Sequence, residues 1–502
     1  MFHRLDHIDI KPATPYLLAI CAAILLWTAT YPFSRTFMLT QISYNEGWNV
    51  YNAQRVTEHQ PLYPSPYGWI SVNYPALSFH IVSALGRFTS DYLFTGRILS
   101  LAGLCLSGVF AGLIVWNTTR SKLASLLSGM FLVAIFCANA TSYVGLDDPQ
   151  MLAQAFFMGG IYVYLRGNRM GLALELTALL FVMGGNIKHN LIEFPLAVLL
   201  DLLMSSPRRA LRFAIAGASM AALSVVLTIK IDGAAYLSCL LAPRSYYAHA
   251  AIFGALQFLK PILLPTAAAF FMACYCWKNS SRRVLALLLF CALAANTFFC
   301  GGLGVDINGM FGSMLAIVLL SGVFWAEFSS LPLGRLRVLP PTVVCAIFFL
   351  CLAVTMKMNG RGHTNRALRL SRASEQSFAV EVAYLRKQPG PALCEGLLHC
   401  YYAGKPYLYD PFNATRFIRQ GKLNANVMVD RLRNREFGAV QLSGSVEQKL
   451  GDPNPEDNAH FVPPILRAIQ MYYRPGFTNE DEVIYIPRGQ GEQMSPKLAA
   501  SN

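Results

Sequence analysis

Apolar runs of bilayer-crossing size recur along this chain, and short basic clusters separate them. Tyr16–Thr30 and Leu339–Met356 are two such runs, near the roughly 20 residues that a transmembrane helix needs. A soluble fold has too little core for this much apolar sequence. Of 502 residues, 54% are hydrophobic and only 14% are charged, where about a quarter charged is usual. The pattern predicts a polytopic α-helical membrane protein. Tyr16–Pro32 carries no small-residue cleavage site and reads as a retained anchor.

The formal net charge of +14 does not point to nucleic acid, because of where the charge sits. Arg120/Lys122, Arg166/Arg169, Arg208/Arg209, Arg282/Arg283 and Arg335/Arg337 each fall between apolar runs, as the positive-inside rule produces. Placing all of them inside imposes a parity on the spans. Tyr16–Pro32 leads outward, so Ser34–Tyr74 lies outside, and only one of Ala76–Leu85 and Ile98–Trp116 can cross before Arg120. The first is short and bounded by Arg87, so it reads as an interfacial helix of the first outer loop. The other runs then alternate: Leu123–Ala140, Met151–Leu165, Leu172–Gly185, Leu191–Met204, Leu211–Ile229, Phe253–Trp277, Val284–Cys300, Met310–Phe328 and Val338–Met356. About eleven transmembrane helices result. The outer segments are Ser34–Tyr74, Tyr143–Pro149, Lys230–Ala251, Gly301–Gly309 and everything from Lys357 onward.

Charge density rises from Arg361, and turn signals divide the remainder of the chain into short patterned runs. Residues 1–357 therefore read as a transmembrane catalytic domain, and residues 358–502 as a small extracytoplasmic, periplasmic-type α/β domain. In the latter, Leu368–Lys387 is expected as a helix, and Ala392–Leu397, Gly438–Leu442 and Glu482–Pro487 as strands. Most of the 12 cysteines lie in apolar runs and act there as small hydrophobes. Cys394 and Cys400 do not; in an oxidising compartment they are either a disulfide or two unpaired thiols at a turn.

Chemistry is expected in the outer loops. In Ser43-Tyr44-Asn45-Glu46-Gly47-Trp48, Glu46 is either the distal acid of a capping box begun by Ser43, or a carboxylate among aromatics that takes a proton from an acceptor hydroxyl. In Tyr143–Pro149, Asp148 before Pro149 is a helix-start signature. Capping requires one acid, however, and Asp147 stands beside it; adjacent like charges are costly without a cation, a metal or a proton. Lys188 and His189 fall between two short apolar runs. An ionisable group at that depth marks function unless it snorkels to the headgroups. Arg244, in Pro243-Arg244-Ser245-Tyr246-Tyr247, is an outer-loop cation suited to phosphate or sugar, or to interfacial anchoring. Asp306-Ile-Asn308-Gly309 at the last outer turn has the composition of a cap or turn. No Walker loop, dinucleotide-type glycine fingerprint or Cys/His cluster at metal spacing occurs.

An acid in the first outer loop, the stretch Val72-Asn73-Tyr74-Pro75-Ala76-Leu77 leading into an interfacial helix, and Gly96-Arg97-Ile98-Leu99-Ser100 opening the second span together resemble the GT-C superfamily of membrane glycosyltransferases. Its members include protein O-mannosyltransferases and the lipid A aminoarabinose transferase. Asp148-Pro149 is similar to their second-loop acid, Gly304-Val-Asp306-Ile-Asn308 to their late outer-loop motif, and Ala403-Gly404-Lys405 with Asp410-Pro411-Phe412-Asn413 to bacterial members' outer domains. Two departures stand out: Asn45 precedes a single Glu46, and Met310-Phe311-Gly312 comes after the late motif where an aromatic and an acid are usual.

The resemblance implies transfer of one sugar from a polyprenyl-phosphate donor to a glycolipid, polysaccharide or protein acceptor, with inversion, at the outer face of a bacterial inner membrane. Glu46 would be the general base or position the acceptor, and Asp148 or Asp147 would hold the acceptor or a divalent cation. No cofactor is required by it, and metal dependence stays open. Lys188 and Arg244 would steady the departing lipid phosphate, with His189, Tyr74 and Asn308 beside them; for the two cations the ground is chemistry and location, not a motif. The rival readings are a surface-polysaccharide polymerase or ligase, and a transporter, although no internal repeat of the transporter kind occurs.

Overall fold

The computed structural model describes residues 14–167, 172–332, 339–358, 364–452 and 460–489. Arg169, Arg335, Arg337 and Arg361 lie outside the described residues. The chain opens with α1 (Thr14–Arg35), followed by two helices in the first loop, α2 (Tyr44–Thr57) and α3 (Leu77–Thr89). At 14 and 13 residues both are below spanning length. Then come α4 (Tyr92–Thr119), α5 (Lys122–Asn139), α6 (Gln150–Arg166), α7 (Ala173–Ile187), α8 (Glu193–Ser205) and α9 (Pro207–Asp232). A short α10 (Tyr236–Leu240) leads to α11 (Ala248–Leu259), α12 (Leu263–Cys276), α13 (Arg283–Cys300), α14 (Phe311–Glu327) and α15 (Pro341–Met358).

Among the described residues eight helical segments are long and apolar enough to cross a bilayer: α1, α4, α5, α9, α11 joined to α12, α13, α14 with its flanking turns, and α15. The expected count of eleven also included α6, α7 and α8, which fall where spans were predicted but reach only 17, 15 and 13 residues. Buried polar side chains interrupt two of them, Gln150 and Gln154 on α6 and Glu193 and Asp201 on α8. The axis of the bundle is α14. It is buried on nearly every side, with Trp325 against Phe131 and Phe348. An α-helix apolar all round has no polar face to turn outward and takes the centre.

The helices have two chemically distinct ends. Arg282 donates to the Thr118 carbonyl and to Glu327 Oε1, and Arg283 pairs with Asp201, which also accepts from the Tyr164 hydroxyl. These groups gather the C-terminal ends of α4, α6, α8 and α14 at the start of α13. The N-terminal end of α4, with Gly96 and Arg97, is at the opposite end, and the candidate site is built there.

Beyond α15, α16 (Thr364–Lys387) leads into β1 (Ala392–Cys394), α17 (Leu397–Tyr402), α18 (Pro411–Arg419), α19 (Ala425–Arg433), β2 (Ala439–Ser443), α20 (Val446–Leu450), α21 (Pro463–Tyr472), β3 (Tyr473–Thr478) and β4 (Glu482–Pro487). The strands form one sheet in the order β1-β2-β4-β3. β1 and β2 are parallel, through the crossover that such a pair requires, and the β2–β4 and β3–β4 pairs are antiparallel. The expected first strand is shorter than predicted, because Leu397 begins a helix instead. β3 was not anticipated: it carries Pro475 and Gly476, and Pro is tolerated there because the strand is at the sheet edge. Cys394 and Cys400 are disulfide-bonded across this short segment.

The carboxy-terminal part shares a core with the first loop. Trp48, Tyr51, Leu62 and Phe79 belong to the same buried cluster as Phe378, Leu385, Leu397 and Ile484, and the Tyr51 and Tyr407 rings stack at 4.8 Å. Non-reducing peptide mapping should recover a linked Cys394–Cys400 peptide. Their joint replacement by Ser should cost about 2 kcal/mol, the value for so short a closed loop, read as a lowered thermal midpoint. Free, alkylatable thiols in protein that was never reduced would contradict the bond.

Candidate active site

Glu46 begins the site. Its residue is fully buried on α2, and its two oxygens accept four hydrogen bonds. Oε1 takes Arg97 Nε at 2.7 Å and the Asp147 amide at 3.3 Å; Oε2 takes Arg97 Nη2 at 2.8 Å and the Ile42 amide at 2.7 Å. Arg97 also donates to the Met38 and Thr40 carbonyls, so the guanidinium fork closes the turn ahead of α2. Ser43 is the N-cap residue but makes no side-chain capping bond. The capping-box expectation for Glu46 is therefore wrong: the acid serves a long-range ion pair. With its lone pairs taken, it is also poorly placed to accept a proton from a substrate.

Asp147 and Asp148 end the loop between α5 and α6. Gly96 lets the loop approach, since a Cβ there would lie 1.9 Å from Asp147 Oδ1. The Asp147 carbonyl accepts from Asn49 Nδ2, while its Oδ2 is buried without a hydrogen-bond partner. Burial first, then the Glu46 charge, push the Asp147 carboxyl well above the usual carboxylate range. Asp148 was expected as the N-cap with Pro149 at the first helical position; the helix starts instead at Gln150, whose amide donates to Asp148 Oδ1 at 2.9 Å. Asp148 Oδ2 lies 3.5 Å from Lys188 Nζ. Lys188, in the α7–α8 connection, also sits 3.4 Å from the centre of the Tyr74 ring. It does not snorkel outward: it is 4% exposed, held between a carboxylate and an aromatic face.

From Lys188 the site opens into a cavity of about 470 Å³ lined by Tyr74, Lys188, His189, Arg244 and Asn308, with Phe298 and Phe299 as part of its apolar wall. The wall is braced where the chain after α10 pairs with the turn after α13: the Tyr247 amide donates to the Gly301 carbonyl and the Leu303 amide to the Ser245 carbonyl. His189 is reached from the cavity yet surrounded by protein. Its side chain is exposed to the cavity, and the protein packed around it, helped by the Lys188 and Arg244 charges, pushes its imidazole below the usual histidine range, so His189 is neutral at neutral pH. Asp306 caps its own turn, accepting from the Ile307 amide. A second, much smaller cavity of about 20 Å³ touches Asp147, Asp148, Gly96 and Ser100, room for about one water.

Among the described residues no three or more His, Cys, Asp or Glu side chains converge as a metal needs. The nearest set, Glu46, Asp147 and Asp148, already carries Arg97 and Lys188 as counter-ions. These residues do not fit a divalent cation.

No family model and no curated protein sequence matches this chain. Among solved structures it is similar to ArnT from Cupriavidus metallidurans in the apo state, with 11% identity and a TM-score of 0.61 over 95% of this chain and 98% of that one. The same protein bound to undecaprenyl phosphate gives 13% identity and a TM-score of 0.59 over 94% and 98%. A weaker likeness, at 12% identity and a TM-score of 0.48 over 88% and 71%, is to the Archaeoglobus fulgidus oligosaccharyltransferase in the apo form. At such identities the likeness to ArnT is one of fold. The chain shares the fold of that ArnT.

Within this fold, all eight residues singled out in the sequence belong to one continuous constellation. Glu46 touches the Asp147 backbone, Asp148 faces Lys188, and Lys188 leads into the cavity that Tyr74, His189, Arg244 and Asn308 also line. Arg97 was noted as part of a motif but not as the partner of Glu46, and Asn49 was not singled out. Their partnerships, Arg97 with Glu46 and Asn49 with Asp147, join residues 51 and 98 positions apart, which no local spacing rule connects.

Replacing Glu46 by Gln leaves Arg97 buried and half-paired, and should lower stability by about 3 kcal/mol. The same chain with both Glu46 and Arg97 changed to Met should regain most of it, a coupling that a double-mutant cycle of thermal midpoints measures. Additive losses would mean that the two side chains do not stabilise one another.

Proposed function

We propose that the chain is a glycosyltransferase that moves one sugar from a polyprenyl-phosphate donor to an acceptor hydroxyl or amine at the outer face of a bacterial inner membrane. The observation that carries this is the cavity lined by Tyr74, Lys188, His189, Arg244 and Asn308, with Asp148 buried behind Lys188 at 3.5 Å. Two cations beside an apolar wall suit a phosphate on a lipid chain, and a carboxylate beside them suits an acceptor that must lose a proton. The neighbour bound to undecaprenyl phosphate supports a lipid phosphate in particular.

In this reading the acceptor oxygen or nitrogen attacks the anomeric carbon from the side opposite the phosphate, which inverts the configuration. The bond from that carbon to the phosphate oxygen breaks, and its electron pair stays on the lipid phosphate. Asp148 takes the acceptor's proton. Lys188 and Arg244 stabilise the charge that builds on the leaving phosphate. Glu46 acts through structure: with Arg97 it fixes the loop that presents Asp147 and Asp148. Tyr74 holds Lys188 by its ring face, and Asn308 offers a neutral amide for a sugar hydroxyl. Residues 1–357 would form the catalytic membrane part and residues 358–502 an extracytoplasmic unit, with eleven crossings if α6, α7 and α8 also span.

Mass spectrometry of envelope glycolipids, polymers and glycoproteins from cells with and without the gene should find one species lacking a single sugar. Asp148→Asn and Arg244→Gln should reproduce that loss, each lowering transfer roughly a hundredfold or more. Unchanged glycans in the deletion strain would sink the transferase reading and favour transport. Single-cysteine labelling should find position 422 accessible from outside and position 283 only after permeabilisation; the reverse would remove access to an outward lipid donor.

A further inference from the structure

Lys188 has Asp148 as a counter-ion, but among the described residues Arg244 has no ion-pair partner; Tyr74 acts on it through space, as do the His189 ring and a second guanidinium. That second guanidinium is left unbonded. Arg416, on α18, is 6% exposed. Among the described residues none of its three guanidinium nitrogens has a hydrogen-bond partner, and its ring contact is with its own neighbour Phe417, 4.9 Å away. A buried charge in this condition costs several kcal/mol, so a fold does not retain one for its own stability.

The face of α18 that carries Arg416 packs against two segments that line the cavity, with Arg416 itself one layer behind the lining. Phe412, Arg416 and Gln420 are four residues apart in turn and so share one helix face. At one end of that face Phe412 packs on Gly304, where an added Cβ would meet Phe412 Cζ at 2.6 Å. At the other, Gln420 Nε2 donates to the Pro243 carbonyl at 3.2 Å. Gly304 lines the cavity, and Pro243 adjoins Arg244, which lines it too. Arg416 stands between these contacts. Its guanidinium is pushed down to about 10, by burial first and then by the charge of Arg244, with Asp410 pulling the other way through space. The Asp410 oxygens are themselves engaged by Tyr44, Trp48 and Asn413.

We propose that Arg416, supplied by the carboxy-terminal part, completes with Arg244 a two-arginine site for the dianion of a phosphate monoester. The inference rests on the transferase reading and adds to it a division of labour. The donor phosphate is a diester with one negative charge; once the sugar has gone, the lipid phosphate is a monoester with up to two. Lys188 is offset by Asp148, which leaves Arg244 and Arg416 as two guanidinium groups without an ion-pair partner among the described residues. One matches the donor and the second matches only what the donor becomes. An interaction that strengthens as the bond breaks raises kcat more than it lowers KM.

The test uses the purified full chain in detergent and three probes: undecaprenyl phosphate, its methyl diester, and inorganic phosphate. Wild type should bind the monoester more tightly than the diester, and both lipids more tightly than inorganic phosphate. Arg416→Gln should weaken the monoester about tenfold or more, the worth of a hydrogen bond to a charged group, and leave the diester within about twofold. Arg416→Lys should keep most of the preference. The thermal midpoint of ligand-free Arg416→Gln should equal or exceed that of wild type, since no bond is lost. Equal weakening of both lipids with a lowered midpoint would make Arg416 structural and overturn the proposal. Wild-type-like binding of both lipids by Arg416→Gln, with Arg244→Gln impaired, would overturn it and leave the transferase reading standing. Inorganic phosphate binding as tightly as the lipid monoester would make this a free-phosphate site and overturn the leaving-group role. Binding of none of the three by wild type would overturn the transferase reading itself.

Discussion

The fork of Arg97 around Glu46 is the interaction on which the arrangement of the site depends. It joins three stretches that are remote in sequence: the first loop through Ile42 and α2, the head of α4, and the loop that carries Asp147 and Asp148. A buried pair of this kind contributes little to net stability against an apolar substitute, because both ions have left water. What it does is fix geometry. Four donors around one carboxylate leave a single way to seat the loop, and Gly96 removes the one side chain that would keep the loop away.

That geometry sets up a gradient of compensation along the site. Glu46 is fully paired, Asp148 and Lys188 are paired at a looser 3.5 Å, and Arg244 and Arg416 have no carboxylate within hydrogen-bond reach among the described residues. Charge is thus least compensated at Arg244 in the cavity lining and at Arg416 behind it. A site that binds an anion needs such an imbalance, since a preformed ion pair must be broken before either member can engage a ligand. The apolar wall beside it keeps the dielectric low and strengthens the attraction.

The carboxy-terminal part is a structural component of this site as well as an appendage to the bundle. Its aromatic residues share a core with the first loop, and α18 lies along the cavity edge. The aromatic groups around Asp410 show the same coupling, with Tyr44 and Trp48 of the first loop both donating to its carboxylate. Movement of one part without the other would break these bonds, so the two are expected to move together.

By itself the sequence determined that the chain is a helical membrane protein, where most of its apolar helices run, and which ionisable residues collect at one end. Those properties come from hydropathy and from charge placement, which are local. Lys188, Arg244, Asp147 and Asp148 were legible because a charge beside an apolar run is conspicuous wherever it folds. The tertiary structure alone decided their partners. Ser43 and Glu46 have capping-box spacing, yet Arg97, fifty-one positions on, outcompetes the local bond because a bidentate charge-assisted pair is stronger than a single cap. Arg416 looks like any basic residue on an amphipathic helix. Only packing removed its partners and turned it toward Arg244, because burial and unpairedness belong to the assembled fold and have no signature in one dimension.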